Sequence, residues 1–122
     1  MVEHQLDKVH AILHLRPKAA LAKEDFEAIA KTVDPFIERT GGLNGLIVEA
    51  AKFPGWEGLG AMVAHFRFVR DHHKRIKRVC VVTDSAFGDL AERLASHFVS
   101  AEIRHFPAKD LEAAKQWIMG RS

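Results

Sequence analysis

Two hydrophobic periods take turns along this chain, one of two residues and one of three to four. Val79-Cys80-Val81-Val82-Thr83 is a β-branched run, apolar on both alternating faces. That is the pattern of a central strand in a parallel sheet covered by helices on both sides. Leu46-Ile47-Val48 has the same character. It follows the turn-rich Gly41-Gly42-Leu43-Asn44-Gly45 and ends at Glu49, so it reads as a second strand. Val9 to Leu15 reads as a third, with Val9, Ala11, Leu13 and Leu15 pointing one way and His10, Ile12 and His14 the other. Ala101 to Phe106 interleaves Glu102 and Arg104 with apolar positions, as an edge strand does. A short strand at Val2 to Leu6, turning at Asp7-Lys8, would add another edge.

Helical spacing fills the gaps. From Lys23 to about Thr40, Phe26, Ile29, Ala30, Val33, Phe36 and Ile37 recur every three or four residues, until Gly41-Gly42 end the run. Pro35 lies inside it and should kink or split the helix near Val33. A second helix spans Glu57 to about Lys74, with Leu59, Met62, Val63, Phe66 and Val69 in one stripe and Phe68 outside it. Asp84 and Ser85 suit the N-cap of a third, whose apolar face is Phe87, Leu90, Ala91, Leu94 and Phe98. A fourth starts near Asp110 and packs through Leu111, Ala114, Trp117 and Ile118. Strict alternation with short connections predicts one α/β domain over residues 1–122: a mostly parallel sheet of four to five strands, with an antiparallel edge, and about four helices.

Composition narrows the function without naming it. The chain has 122 residues, 48% hydrophobic and 28% charged, with a net charge of +2, enough to bury a core and too apolar for disorder. One cysteine excludes an internal disulfide and fits a reducing, cytoplasmic compartment. Cys80 sits mid-strand, where burial would silence its thiol. The start carries Glu3, His4, Asp7 and Lys8 before any apolar run, so neither a signal sequence nor a spanning helix is placed there.

Chemistry is sparse. Gly55, Gly58 and Gly60 read G-x-x-G-x-G, which reverses the dinucleotide fingerprint, and no phosphate-loop lysine or hydroxyl accompanies them. They read as turn and helix-start residues. Eight histidines raise the question of a metal. On one strand, however, His10 and His14 stand roughly 13 Å apart, and adjacent His72 and His73 diverge on a helix. No metal site, cofactor or catalytic set is expected. Arg67, Arg70, Lys74, Arg75, Lys77 and Arg78 concentrate positive charge against Asp71 alone, with no interleaved stacking aromatics. That favours a helix end or an anionic surface over nucleic acid. Phe53-Pro54-Gly55-Trp56 puts two large rings in a connector, either folded back as a cap or lining an apolar pocket or membrane-touching tip with Leu59, Met62 and Phe66.

The stretch from Leu46 through Glu49, Phe53-Pro54-Gly55-Trp56 and Leu59 to Lys74, on to Arg78-Val79-Cys80-Val81-Val82-Thr83-Asp84-Ser85, resembles the SpoIIAA-like family of stand-alone bacterial STAS-like domains. Ala101 to Trp117, with Phe106-Pro107 before Ala113-Ala114, is similar as well. The resemblance implies a STAS-like fold. Among STAS antagonists of anti-sigma factors it also implies a phosphorylated serine or threonine at the start of the second helix, a position occupied here by the Trp56-Glu57 neighbourhood. No serine or threonine occurs from Gly41 to Val82, so phosphoserine switching is not expected to transfer. For the family the resemblance implies apolar or lipid-like ligands and membrane association, with the loop and helix opening and closing.

The resulting expectation is a non-catalytic binding module. Phe53, Trp56, Leu59, Met62 and Phe66 form a gated apolar site, and Arg67, Arg70, Lys74 and Arg75 favour an anionic head group or surface. The alternative is a regulatory protein-interaction module. A homodimer and peripheral placement at the inner membrane surface belong to the same expectation.

Overall fold

The computed structural model describes residues 1–86 and 100–120. The element order is β1 (Val2–Asp7), β2 (Ile12–Pro17), α1 (Lys23–Thr40), β3 (Leu43–Glu49), α2 (Leu59–His72), a 3-10 turn (His73–Arg75), β4 (Ile76–Val82), β5 (Glu102–Phe106), a second 3-10 turn (Ala108–Asp110) and α3 (Leu111–Ile118). The five strands lie side by side in chain order. β1 pairs antiparallel with β2, and β2 through β5 run parallel. The mixed α/β architecture expected from the pattern is therefore present, with its antiparallel edge. Three α-helices are seen among the described residues. The helix expected from Phe87 to Phe98 lies outside them.

Sequential strand order carries α1 and α2 over one face of the sheet, while α3 returns to cover the other. On the first face Leu13, Leu43 and Ile76 pack with Ile29, Val33 and Phe36 of α1. On the second, Ile12, Ile47, Cys80, Val82 and Phe106 pack with Ala114 and Ile118 of α3. Leu13, Ile47, Cys80, Val82 and Ala114 have no exposed surface, and burial of each large aliphatic side chain stabilises the fold by about 1.5–3 kcal/mol. Gly45 has no side chain for a reason. A Cβ there would collide with the side chain of Ile118, so the absence of a side chain lets α3 settle on β3.

Two local expectations are corrected. Pro35 does not split α1, which runs unbroken from Lys23 to Thr40; the proline is exposed, so its ring points away from the core and only one helical bond is forgone. Gly41 then closes the helix at φ 96°, donating its N–H to Ile37 O at 2.7 Å. Val9 and His10 belong to the turn before β2 rather than to the strand. Val9 is 88% exposed, and the Asp7 carboxylate accepts the Val9 and His10 amides and lies 2.8 Å from the His10 ring. Asp84 directs its carboxylate to the Ala108 N–H at 2.9 Å, tying the end of β4 to the segment after β5.

Candidate functional site

Helix α2 is apolar on two opposite faces. At 100° per residue, Leu59, Val63, Phe66 and Arg70 share one face, and His65, Phe68, Val69 and His72 lie broadly opposite. Tertiary packing chooses between them. The face carrying Phe68 turns inward: its ring lies 6.0 Å from Phe26 of α1 and stacks on His72 at 4.0 Å. The Leu59, Val63 and Phe66 part of the stripe points out, with Leu59 72% and Phe66 55% exposed, while Phe68, outside that stripe, turns inward together with Val69.

α2 leans on α1 and reaches the sheet-side core through Phe68. His72 Nε2 lies 2.7 Å from Asp34 Oδ1, linking the end of α2 to α1. A cavity of about 200 Å³ remains between helix and sheet, walled by Leu15, Leu46, Val48, Val79, Ile103 and Phe68. The wall is almost entirely apolar. Phe26, Val69 and the rings of His65, His72 and His73 complete much of it. Among the described residues none of the five expected apolar candidates, Phe53, Trp56, Leu59, Met62 and Phe66, lines this space.

Of those five, Phe53, Trp56 and Phe66 gather instead into a cluster of rings. The connector that bears Trp56 is stitched by backbone to the segment before α1: Leu21 N–H donates to Gly55 O at 2.7 Å and Glu57 N–H to Leu21 O at 2.8 Å. Gly55 makes the turn at φ 79°, a conformation that favours glycine. Trp56 then meets Phe53 edge-on at 5.0 Å and Phe66 at 5.9 Å. It is half-buried, as is Met62, whereas Phe53 is exposed. Trp56 Nε1–H donates to His65 Nδ1 at 3.1 Å, and His65 stacks on Phe26 at 5.0 Å. A relay of rings therefore runs from the outer cluster to the cavity wall. Burial pushes the His65 pKa below its ordinary value.

The cationic candidates Arg67, Arg70, Lys74 and Arg75 are all exposed. Arg70 donates to Asp71 at 2.9 Å and Arg75 to Gly41 O at 3.4 Å. Arg70 continues the outward face of Leu59, Val63 and Phe66, so that face is greasy at one end and positive at the other.

A polar cluster went unread in the sequence. At the carboxyl end of β2 and β3, His14 Nε2–H donates to Glu49 Oε1 at 2.9 Å and Arg16 Nε–H donates to the same oxygen at 3.1 Å. Partial burial pushes the Glu49 carboxyl up, but the hydrogen bonds from Arg16 and His14 prevail and hold it below its ordinary range. Burial pushes His14 below its ordinary value, against the opposing bond to Glu49. Period-two alternation puts His14 and Arg16 on one face of β2, which is the available sequence signal; only the register with β3 brings Glu49 beside them. Among the described residues no three histidine, cysteine or carboxylate side chains are grouped to hold a metal ion. No helix among them is long and apolar enough to cross a membrane.

Parallel β2–β5 with an antiparallel β1 and, among the described residues, two helices on one face and a terminal helix on the other, define a STAS-like domain, a fold that carries binding and regulatory modules. The family model described as SpoIIAA-like matches residues 12–119, and the chain belongs to the SpoIIAA-like family. Among solved structures it is similar to an uncharacterized protein of the DUF3478 family with a SpoIIAA-like fold from Shewanella loihica PV-4. The TM-score is 0.76 at 19% identity, covering 97% of this chain and 92% of that one. No curated protein matches the chain.

Proposed function

We propose that this domain is a non-catalytic binding module that takes an apolar or lipid-like molecule beneath α2 and meets an anionic membrane surface with the outer face of the same helix. The cavity of about 200 Å³ carries this reading. An apolar cavity of roughly 150 Å³ already admits benzene. Exposed Phe53, Leu59 and Phe66 supply apolar contact area at the surface. Arg67, Arg70, Lys74 and Arg75 are attracted to anionic lipid by about 1 kcal/mol each when near the membrane. Phosphoserine switching has no part in it, since no serine or threonine precedes or opens α2.

Flotation with phosphatidylglycerol vesicles, alongside thermal melts with decanol, tests both halves. Binding that weakens at high salt, and a rise in melting temperature with decanol, support the reading. Absence of both overturns it. Capture of a regulatory protein, or self-association lost in Leu59→Ala, without either lipid response would show instead that the exposed rings serve a protein partner or a second copy.

A further inference from the structure

The hydrogen bond between Trp56 and His65 determines which nitrogen of the histidine bears the proton. An indole N–H only donates, so His65 Nδ1, 3.1 Å away, must offer its lone pair. A neutral imidazole then carries its single hydrogen on Nε2. That N–H has no hydrogen-bond partner among the described residues, yet His65 is a wall residue of the cavity under α2. No buried side-chain nitrogen or oxygen among them is sealed away unpaired, so the donor is reachable.

The rest of the wall offers a ligand little else. His72 is held between Asp34 Oδ1 and Phe68 O, each 2.7 Å away. His73, about 12 Å further along the helix, accepts the Ser100 N–H at 3.0 Å through Nδ1 and is the one comparable donor among the described wall residues. No lysine, arginine, aspartate or glutamate is among them. A carboxylate entering such a space would lose its hydration with no free cation to replace it, since both His72 nitrogens are already taken by Asp34 and Phe68, whereas a neutral carbonyl or ether oxygen needs only one donor.

On the reading of the cavity as a ligand site, we propose that its occupant is an uncharged apolar molecule bearing a hydrogen-bond acceptor oxygen, and that this oxygen is received by the His65 Nε2–H while Nδ1 stays bonded to Trp56. The bond to Trp56 thereby orients the donor and joins the outer aromatic cluster to the occupant. Loss of that bond frees the ring to adopt the other tautomer, which has no donor at Nε2.

Three probes of nearly equal shape separate the possibilities by calorimetric titration: acetophenone, with a carbonyl; α-methylstyrene, with a methylene in its place; and benzoate, with a charge. Acetophenone should bind and benzoate should not. The ratio of acetophenone to α-methylstyrene affinity should fall about fivefold in His65→Phe, the value of one ordinary hydrogen bond, and stay unchanged in His73→Phe. A ratio unaltered by His65→Phe, or lost in His73→Phe instead, overturns the assignment while leaving the cavity a ligand site. Failure of both neutral probes overturns the cavity reading itself. Side-chain nitrogen NMR on the unaltered protein needs no variant: the His65 Nε2 should be the protonated nitrogen and should shift with acetophenone more than with α-methylstyrene. The opposite tautomer overturns the proposal.

Discussion

His14 and Glu49 stand 35 positions apart in the chain, and their side chains meet at 2.9 Å because β2 and β3 run parallel in a register that sets Leu15 against Val48. Glu49 is an acceptor for two donors at once, and removing it strands both. Glu49→Ala should therefore destabilise the fold by about 1–2 kcal/mol, measured by urea denaturation, with a smaller loss for Glu49→Gln.

Acid should weaken the protein starting near neutrality. In the unfolded chain His14 and His65 take up protons near their ordinary pKa of about 6.5. In the folded chain burial lowers both, so below that pH the unfolded state binds more protons and stability falls until the lowered folded values are reached. Glu49 acts in the same direction further down: its stabilisation is present above the ordinary carboxylate range and is lost as pH falls through its depressed folded value. Urea midpoints followed from about pH 8 to pH 5 should decline once pH passes about 6.5. A flat profile over that interval would contradict the assignment.

The contact between Gly45 and Ile118 makes a sharper test of packing. Gly45→Ala drives a methyl into the Ile118 side chain and should destabilise by roughly 1–3 kcal/mol. In an Ile118→Ala background the same change should be close to neutral. Additive effects in this double-mutant cycle would mean that α3 shifts to accommodate the methyl.

Two kinds of apolar residue should part company under mutation. Ile47, with no exposed surface, should lose about 2–5 kcal/mol on replacement by alanine. Leu59→Ala and Phe66→Ala should leave stability within about 0.5 kcal/mol and weaken flotation with phosphatidylglycerol vesicles. Retained flotation in the double variant would remove the outer face of α2 from the proposed function.

Cys80 should be inert while the protein is folded. Its thiol is fully buried, lies 3.6 Å from Ala114 O, and is pushed up to about 12 by burial. Ellman's reagent at about pH 8 should react with it only after denaturant is added. Prompt reaction in native buffer would show that α3 opens.

The architecture was legible where a segment's pattern admits only one packing: Val79 to Thr83, a short β-branched run apolar on both faces, and Lys23 to Thr40, with a single apolar stripe, are of that kind. α2 is not, since Leu59, Val63 and Phe66 compete with Phe68 and Val69 for the interior and periodicity alone has no means of choosing. The winner depends on Phe26 of α1, which meets Phe68 and His65 across the helix pair. The cavity was hidden for the same reason, because it arises from how far α2 stands from the sheet rather than from any local run. The turn at Asp7-Lys8 was legible but the start of β2 was not, because Val9 and His10 extend its alternation backward and the local carboxylate bonds override it.

Because the strands are laid down in the order in which they are synthesised, each new strand finds its neighbour already in place and none must be threaded between two others. Assembly on the ribosome can then advance from one edge, the hairpin of β1 and β2 serving as template for β3 and β3 for β4. A pulse of deuterium during refolding would register this as amide protection spreading outward from residues 2–17.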